Sequence, residues 1–166
     1  GVDTSHVHHV PDKFTASFFC STDTENNQIA SFYTGAMANA SELSLRTGDR
    51  LVTDVTSSVI GFCAGRGDGL LTVFVPHATA GVAVMETGSG SEQDLADAVD
   101  RLLPVEERYR HSHGSPGHGR DHVLPAFVAP SVTIPVVAGR PVLGTWQSVV
   151  VVDSNADNPD RRLVLS

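Results

Sequence analysis

Residues 147–153 read Gln-Ser-Val-Val-Val-Val-Asp, with four valines in a row. Branching at Cβ stiffens χ1, which disfavours a helix and suits the pleated surface of a sheet. The run is a strand, and it needs a sheet to join. Partners are available: residues 50–55, 70–75, 82–86, 132–137, 140–143 and 161–165 are short, rich in Val, Leu, Ile or Thr, and most are bounded by turn residues. Segment 70–75 (Leu-Leu-Thr-Val-Phe-Val) is so nearly continuous that burial on both faces is expected. A short helix is expected around 56–64, ending at Gly65. The best-patterned helix opens at Ser91, an expected cap with Asp94 three residues on. Leu95, Ala98, Val99, Leu102 and Leu103 then repeat at helical spacing until Pro104 stops the run. Asp121 is placed as the cap of another helix to about Val128, with Pro125 still in its first turn. Two or three helices among many strands indicate α+β with mixed or antiparallel sheets, not a doubly wound sheet.

The chain has 166 residues, enough for one domain with a real core. Its net charge of −8 argues against nucleic-acid binding, which needs a basic face. No apolar run is long enough to cross a bilayer and no charged-then-apolar leader is visible, although Gly1 leaves room for a trimmed one. Cys20 and Cys63 form no CxxC, sit in apolar surroundings and are expected to be small core residues. A reducing, cytoplasmic setting is the expectation.

Chemistry concentrates in residues 109–122, Tyr-Arg-His-Ser-His-Gly-Ser-Pro-Gly-His-Gly-Arg-Asp-His. Four of the eight histidines fall here: His111, His113, His118 and His122. Glycine and proline make the stretch a loop. With His77 at a strand end, these imidazoles could give one metal three ligands and leave a position open, as catalytic zinc requires. From spacing alone, solvated polar groups that hydrogen-bond locally are the simpler reading. Glu86 closes a strand and becomes a base or orienting group if it faces His77. The Gly/Ser stretch 87–91 could offer backbone N–H groups to a phosphate, or be a plain linker. Trp146 is expected as a core anchor, with Thr145 and Gln147 suited to orienting a ligand. Arg140, Arg161 and Arg162 could meet a phosphate, with a solvated surface as the simpler reading.

Together these residues resemble a known family. Segment 76–86 (Pro-His-Ala-Thr-Ala-Gly-Val-Ala-Val-Met-Glu), Tyr109-Arg-His111, Asp121-His122 and Leu143-Gly-Thr-Trp-Gln147 look like the signature segments of the YjbQ family, also called secondary thiamine-phosphate synthase. The resemblance covers about residues 44–166. It implies a small α+β domain that forms a homotrimer, with pockets near subunit boundaries. It also implies a reaction that joins a pyrimidine pyrophosphate to a thiazole phosphate, so the partner is a small phosphorylated substrate. By position it makes His77, Glu86 and Gln147 catalytic candidates. Thr79, Thr145 and Trp146 would bind substrate, and His77, His111 and His122 would hold a divalent metal, Zn or Mg. His113 and His118 fall where the family varies and become expected bystanders. Met85 stands where the family often has asparagine.

Residues 1–43 read differently. Segments 14–20 and 28–34 are β-rich and flank a polar turn, so an extra N-terminal hairpin is expected. Segments 2–6, 15–20, 27–29 and 32–37 resemble an internal piece of a ribokinase-like (PfkB) sugar kinase. The Gly-Ala-Gly-Asp motif of that family is absent, so the piece is read as a non-functional fragment joined to the later domain near residues 41–45.

Overall fold

The computed structural model describes residues 17–22, 28–33, 40–48, 50–105, 109–111 and 114–166. Strands β1 (Ser17–Thr22) and β2 (Gln28–Tyr33) pair antiparallel, with Ser17 opposite Tyr33 and Thr22 opposite Gln28, so the N-terminal hairpin is present. Its turn, residues 23–27, lies outside the described residues, as do segments 2–6 and 34–37 and His113.

The elements that follow are β3 (Ser41–Arg46), β4 (Val52–Asp54), α1 (Thr56–Cys63), β5 (Gly69–Phe74), β6 (Ala80–Glu86), α2 (Ser91–Leu102) and α3 (His118–Asp121). A 3-10 turn (Leu124–Ala126) leads to β7 (Ser131–Val137), β8 (Arg140–Pro141), β9 (Gln147–Asp153) and β10 (Asp160–Leu165). One sheet runs β3-β10-β5-β7-β8 and a second runs β4-β9-β6. Every pairing is antiparallel. The α+β expectation holds.

Strand β9 is the middle layer. Val149 and Val151 face a core shared with α1, β5, β7 and β10. Val150 and Val152 face the other way, against Val99 and Leu103 of the α2 region and Leu124. All four valines are fully buried. Each such burial contributes about 1.5–3 kcal/mol. The strand expected to be buried on both faces was β5, and that is corrected: Leu71 and Val73 are buried, while Leu70 and Phe74 are exposed. The five-stranded sheet has its core on one face, so its strands alternate; only the second sheet is covered on both sides.

Three local expectations also change. Strand β3 was not foreseen, yet Ser-Glu-Leu-Ser-Leu-Arg alternates in burial and pairs along its length with β10. Helix α2 is preceded by Gly90 at φ 100, not capped by Ser91. Glu92 reaches back to accept the Gly88 N–H at 2.9 Å, so a carboxylate occupies the donor that the Gly/Ser stretch could have shown to a phosphate. Helix α3 ends at Asp121 instead of starting there, because that carboxylate accepts from Ser154 Oγ at 2.6 Å.

Candidate metal centre and its polar seam

Helix α3 and its C-terminal cap set His118 and His122 four residues apart, on one face. His111 comes from the preceding loop, which crosses α3 at Gly119. A Cβ there would lie 2.3 Å from Tyr109 Cβ and 2.8 Å from the His111 carbonyl oxygen, so only glycine admits the crossing. The three rings therefore meet. Centroids are 4.2 Å apart for His111 and His122, 4.7 Å for His118 and His122, and 5.8 Å for His111 and His118. One ring nitrogen from each lies within 4.8 Å of the others. His118 Nε2 and His122 Nε2 are 2.9 Å apart, a distance that two bare lone pairs do not tolerate, so a proton or a cation must lie between them. Tetrahedral zinc at about 2.0–2.1 Å from each nitrogen would hold ligands about 3.3 Å apart, so the His118–His122 pair would open slightly while the His111 ring closes in from a spread of up to 4.8 Å. Three imidazoles suit zinc and its neighbours, not magnesium, which takes oxygen ligands. His118 is buried, His122 half-buried and His111 exposed, which leaves one side of the group open to a ligand.

Behind the histidines lies a seam of paired polar groups. His118 Nδ1 is 3.1 Å from Asp157 Oδ2, 3.4 Å from Asn155 Nδ2 and 3.9 Å from Asp121 Oδ2. The Asn155 backbone N–H donates to Asp153 Oδ1 at 3.0 Å. Asp153 Oδ2 accepts from Thr47 Oγ1 at 2.7 Å, and Asp153 Oδ1 accepts from Arg161 Nη2 at 3.1 Å. Arg161 Nε also sits 2.7 Å from Asp153 Oδ2, but its N–H is not aligned for a hydrogen bond, so that contact is purely ionic. Arg161 Nη2 reaches Thr79 Oγ1 at 3.4 Å, and Arg120 Nε lies 3.8 Å from Asp121. Thr47, Thr79, His118, Arg120, Asp121, Asp153, Asn155 and Arg161 are all the buried polar residues among those described, and these contacts join every one of them. Burial raises the Asp121 carboxyl above its ordinary value against the pull of Ser154, Arg120 and His118. Asp157 is held below its ordinary value, first by the Ser115 backbone N–H.

His77 is placed elsewhere on this seam. Its Nε2 accepts the Arg162 backbone N–H at 3.1 Å, so Nδ1 carries the proton of the neutral ring. It lines a surface cleft of about 610 Å³ with Arg46, Asp160, Arg161 and Arg162. Burial first, then Arg161 and Arg162, hold its pKa below the ordinary value. The ligand set implied by the resemblance was His77, His111 and His122. Among the described residues the converging set is His111, His118 and His122, with helical spacing bringing His118, the expected bystander, beside His122.

The remaining candidates lie at the far end of β6 and β9. Ala80 pairs with Asp153 and Glu86 with Gln147, so six residue steps separate the two ends. At about 3.4 Å per step that is roughly 20 Å. Glu86, Thr145, Trp146 and Gln147 are exposed there. Trp146 is not a core anchor: it is 73% exposed. Gln147 Oε1 accepts the Gly144 N–H at 2.7 Å. His77 and Thr79 therefore belong to one end, and Glu86, Thr145, Trp146 and Gln147 to the other. Arg140 is exposed at neither site, Arg162 meets Glu42 at 3.5 Å, and Arg161 is fully committed to the interior. Cys63 is a buried free thiol, as expected. Asp153, Asn155 and Asp157 were not foreseen. The signal available was the polar segment 154–160, whose Asn155 Oδ1 accepts the Asp157 N–H at 2.7 Å in a local turn.

The family profile for YjbQ-like UPF0047 proteins matches residues 41–166. A UPF0047 protein of Mycobacterium tuberculosis is 61% identical over 124 residues, covering 75% of this chain and 96% of the relative. One from Archaeoglobus fulgidus is 30% identical over 125 residues, covering 75% and 96%. Among solved structures, a hypothetical protein from Aeropyrum pernix K1 superposes with a TM-score of 0.68 at 31% identity, over 76% of this chain and 96% of the other. An uncharacterised YjbQ/UPF0047 protein from Clostridium acetobutylicum gives 0.67 at 29% identity, over 76% and 98%. The family profile spans β3 to β10, the relatives and solved folds each cover about three quarters of the chain, and the chain belongs to the YjbQ/UPF0047 family.

Proposed function

We propose that this chain is a metal-dependent transferase of the YjbQ type, joining a hydroxymethylpyrimidine pyrophosphate to a thiazole phosphate to give thiamine phosphate and pyrophosphate. The observation that carries the metal requirement is the convergence of His111, His118 and His122, with one nitrogen each inside 4.8 Å. The substrates follow from the resemblance of residues 76–86, 109–111, 121–122 and 143–147 to the family signatures. His111, His118 and His122 would hold a divalent ion, which would supply positive charge to a phosphorylated substrate. Arg46 and Arg162 flank the neighbouring His77 cleft, where a second phosphate can be met by guanidinium groups and by the His77 Nδ1–H. Glu86, Thr145, Trp146 and Gln147 stand roughly 20 Å away along the ladder and so reach the histidines only from another copy of the chain. That separation is the reason to read the sites as lying between subunits; the trimeric count follows only from the family resemblance.

The same three nitrogens with a bound water are also the donor set of a metal-assisted phosphohydrolase, which is the second reading. Metal-stripped protein reloaded with Zn²⁺ or Mg²⁺ and given both substrates separates the two. Thiamine phosphate formation by wild type, lost in His122→Ala, is the expected outcome. Turnover of a generic phosphoester in its place establishes the hydrolase. Tight metal binding with neither activity leaves a non-catalytic metal-binding protein and ends the transferase reading.

A further inference from the structure

We propose that Asp157 is the positioning residue of this centre: its carboxylate holds the proton on His118 Nδ1, fixes that ring's tautomer and so presents Nε2 as the metal ligand. The inference rests on the metal reading above and adds a residue outside the histidine group and the family signatures. Asp157 Oδ2 lies 3.1 Å from His118 Nδ1. A carboxylate and an imidazole lone pair at that separation repel, which favours a hydrogen on the nitrogen; the two meet as an ion pair whose N–H is not aligned for a full hydrogen bond. Asn155 is the competing partner, because the amide nitrogen it turns to the ring is a donor and would need a bare Nδ1. Its Oδ1 is taken by the backbone N–H groups of Asp157 at 2.7 Å and Asn158 at 3.3 Å, which turns its Nδ2 towards the same ring nitrogen at a longer 3.4 Å. The carboxylate is the nearer partner and the only acceptor of the two.

Asp121 is the rival orienter and is the weaker one. Its Oδ2 is 3.9 Å from Nδ1, while its Oδ1 accepts from Ser154 at 2.6 Å. Asp157 has a further geometric advantage. The same oxygen that meets His118 accepts the Ser115 backbone N–H at 3.1 Å, so it ties the β9–β10 connection to the histidine loop. The connection is itself held by Asn155 N–H on Asp153 Oδ1 and by Asp160 N–H on Asn158 Oδ1. With Nδ1 protonated, the His118 lone pair sits on Nε2, the atom 2.9 Å from His122 Nε2 and facing the group. Carboxylate orientation of a ligating imidazole fixes both its tautomer and its basicity, and removing it typically costs 10–100-fold in metal affinity.

The test uses the whole chain with ¹⁵N-labelled histidine, zinc affinity by chelator competition, and the variant Asp157→Asn. That variant keeps an oxygen for the Ser115 N–H, and a thermal melt checks that it is folded. The expected result is a metal-free His118 protonated at Nδ1 in wild type, a mixed tautomer in Asp157→Asn, and a 10–100-fold loss of zinc affinity in the variant. If wild type binds zinc and Asp157→Asn binds it equally well, or if wild-type His118 carries its proton at Nε2, the inference falls while the metal reading stands. If wild type holds no zinc, both fall.

Discussion

The antiparallel ladder between β6 and β9 ends in two unlike places. At the Ala80–Asp153 end, each buried polar side chain has a partner, and the partners chain from Thr47 through Arg161 and Asp153 to His118. At the Glu86–Gln147 end, Glu86, Thr145, Trp146 and Gln147 stand exposed, and the contacts that hold the strand ends are short and local, such as Thr87 Oγ1 to Ser148 Oγ at 2.9 Å. Both ends carry family signature residues, so the difference is one of construction. The first end is preorganised by the chain itself, with charges held in fixed geometry inside a low-dielectric interior. The second is a surface whose tryptophan stands 73% exposed among the described residues.

The strongest way to break this contrast is to remove one charge from the buried end. Arg161→Leu leaves Asp153 buried and unpaired, and should cost about 3–5 kcal/mol in a urea titration. Trp146→Ala, at 73% exposure, should stay within about 0.5 kcal/mol of wild type in the same titration. Equal losses in the two variants would show that the ends are not built differently. Activity tests the other half of the contrast. If the ends of different copies form one site, then His122→Ala and Gln147→Ala are each inactive alone. Unfolded together and reassembled as mixed oligomers, they should recover a fraction of wild-type thiamine phosphate formation. No recovery in verified mixed assemblies would place the whole site within one chain.

A smaller effect concerns His77. Its pKa is held below the ordinary 6.5 by burial and then by Arg161 and Arg162. Between its folded value and 6.5 the unfolded chain binds more protons than the folded one, so its contribution is present above pH 6.5 and is lost as pH falls below it. The urea midpoint of wild type should therefore drop more between pH 7 and pH 5 than that of His77→Gln. A parallel decline in both would show that His77 is not held neutral by its surroundings.

Much of the fold could be read without coordinates, since β9, β6, β7, β10, α1 and α2 announce themselves through β-branched runs, helical spacing and the stop at Pro104. Strand β3 escaped because a change in composition near residues 41–45 masked a plain six-residue alternation. The two-sided burial expected of β5 belongs to β9, and local sequence does not distinguish them: Leu-Leu-Thr-Val-Phe and Ser-Val-Val-Val-Val are both apolar runs. Which one is covered twice depends on where the helices land. The histidine loop was visible by composition, and two of its three converging rings were named. Composition counts His118 with the other loop histidines, and the resemblance sets it aside because it falls where the family varies; spacing in a one-turn helix brings it back.

The amino-acid order alone determined the class of the fold, the family and the loop in which imidazoles collect, because these depend on residue type and on spacing along the chain. Tertiary structure decided which imidazoles share a centre, which carboxylate serves them and which signature residues stand apart. Asp153, Asn155, Asp157 and Arg161 have the local sequence of a solvated turn and strand end. In the fold Asp153, Asn155 and Arg161 are buried, so water is removed and each must find its partner within the protein, while Asp157 meets His118 from the exposed rim.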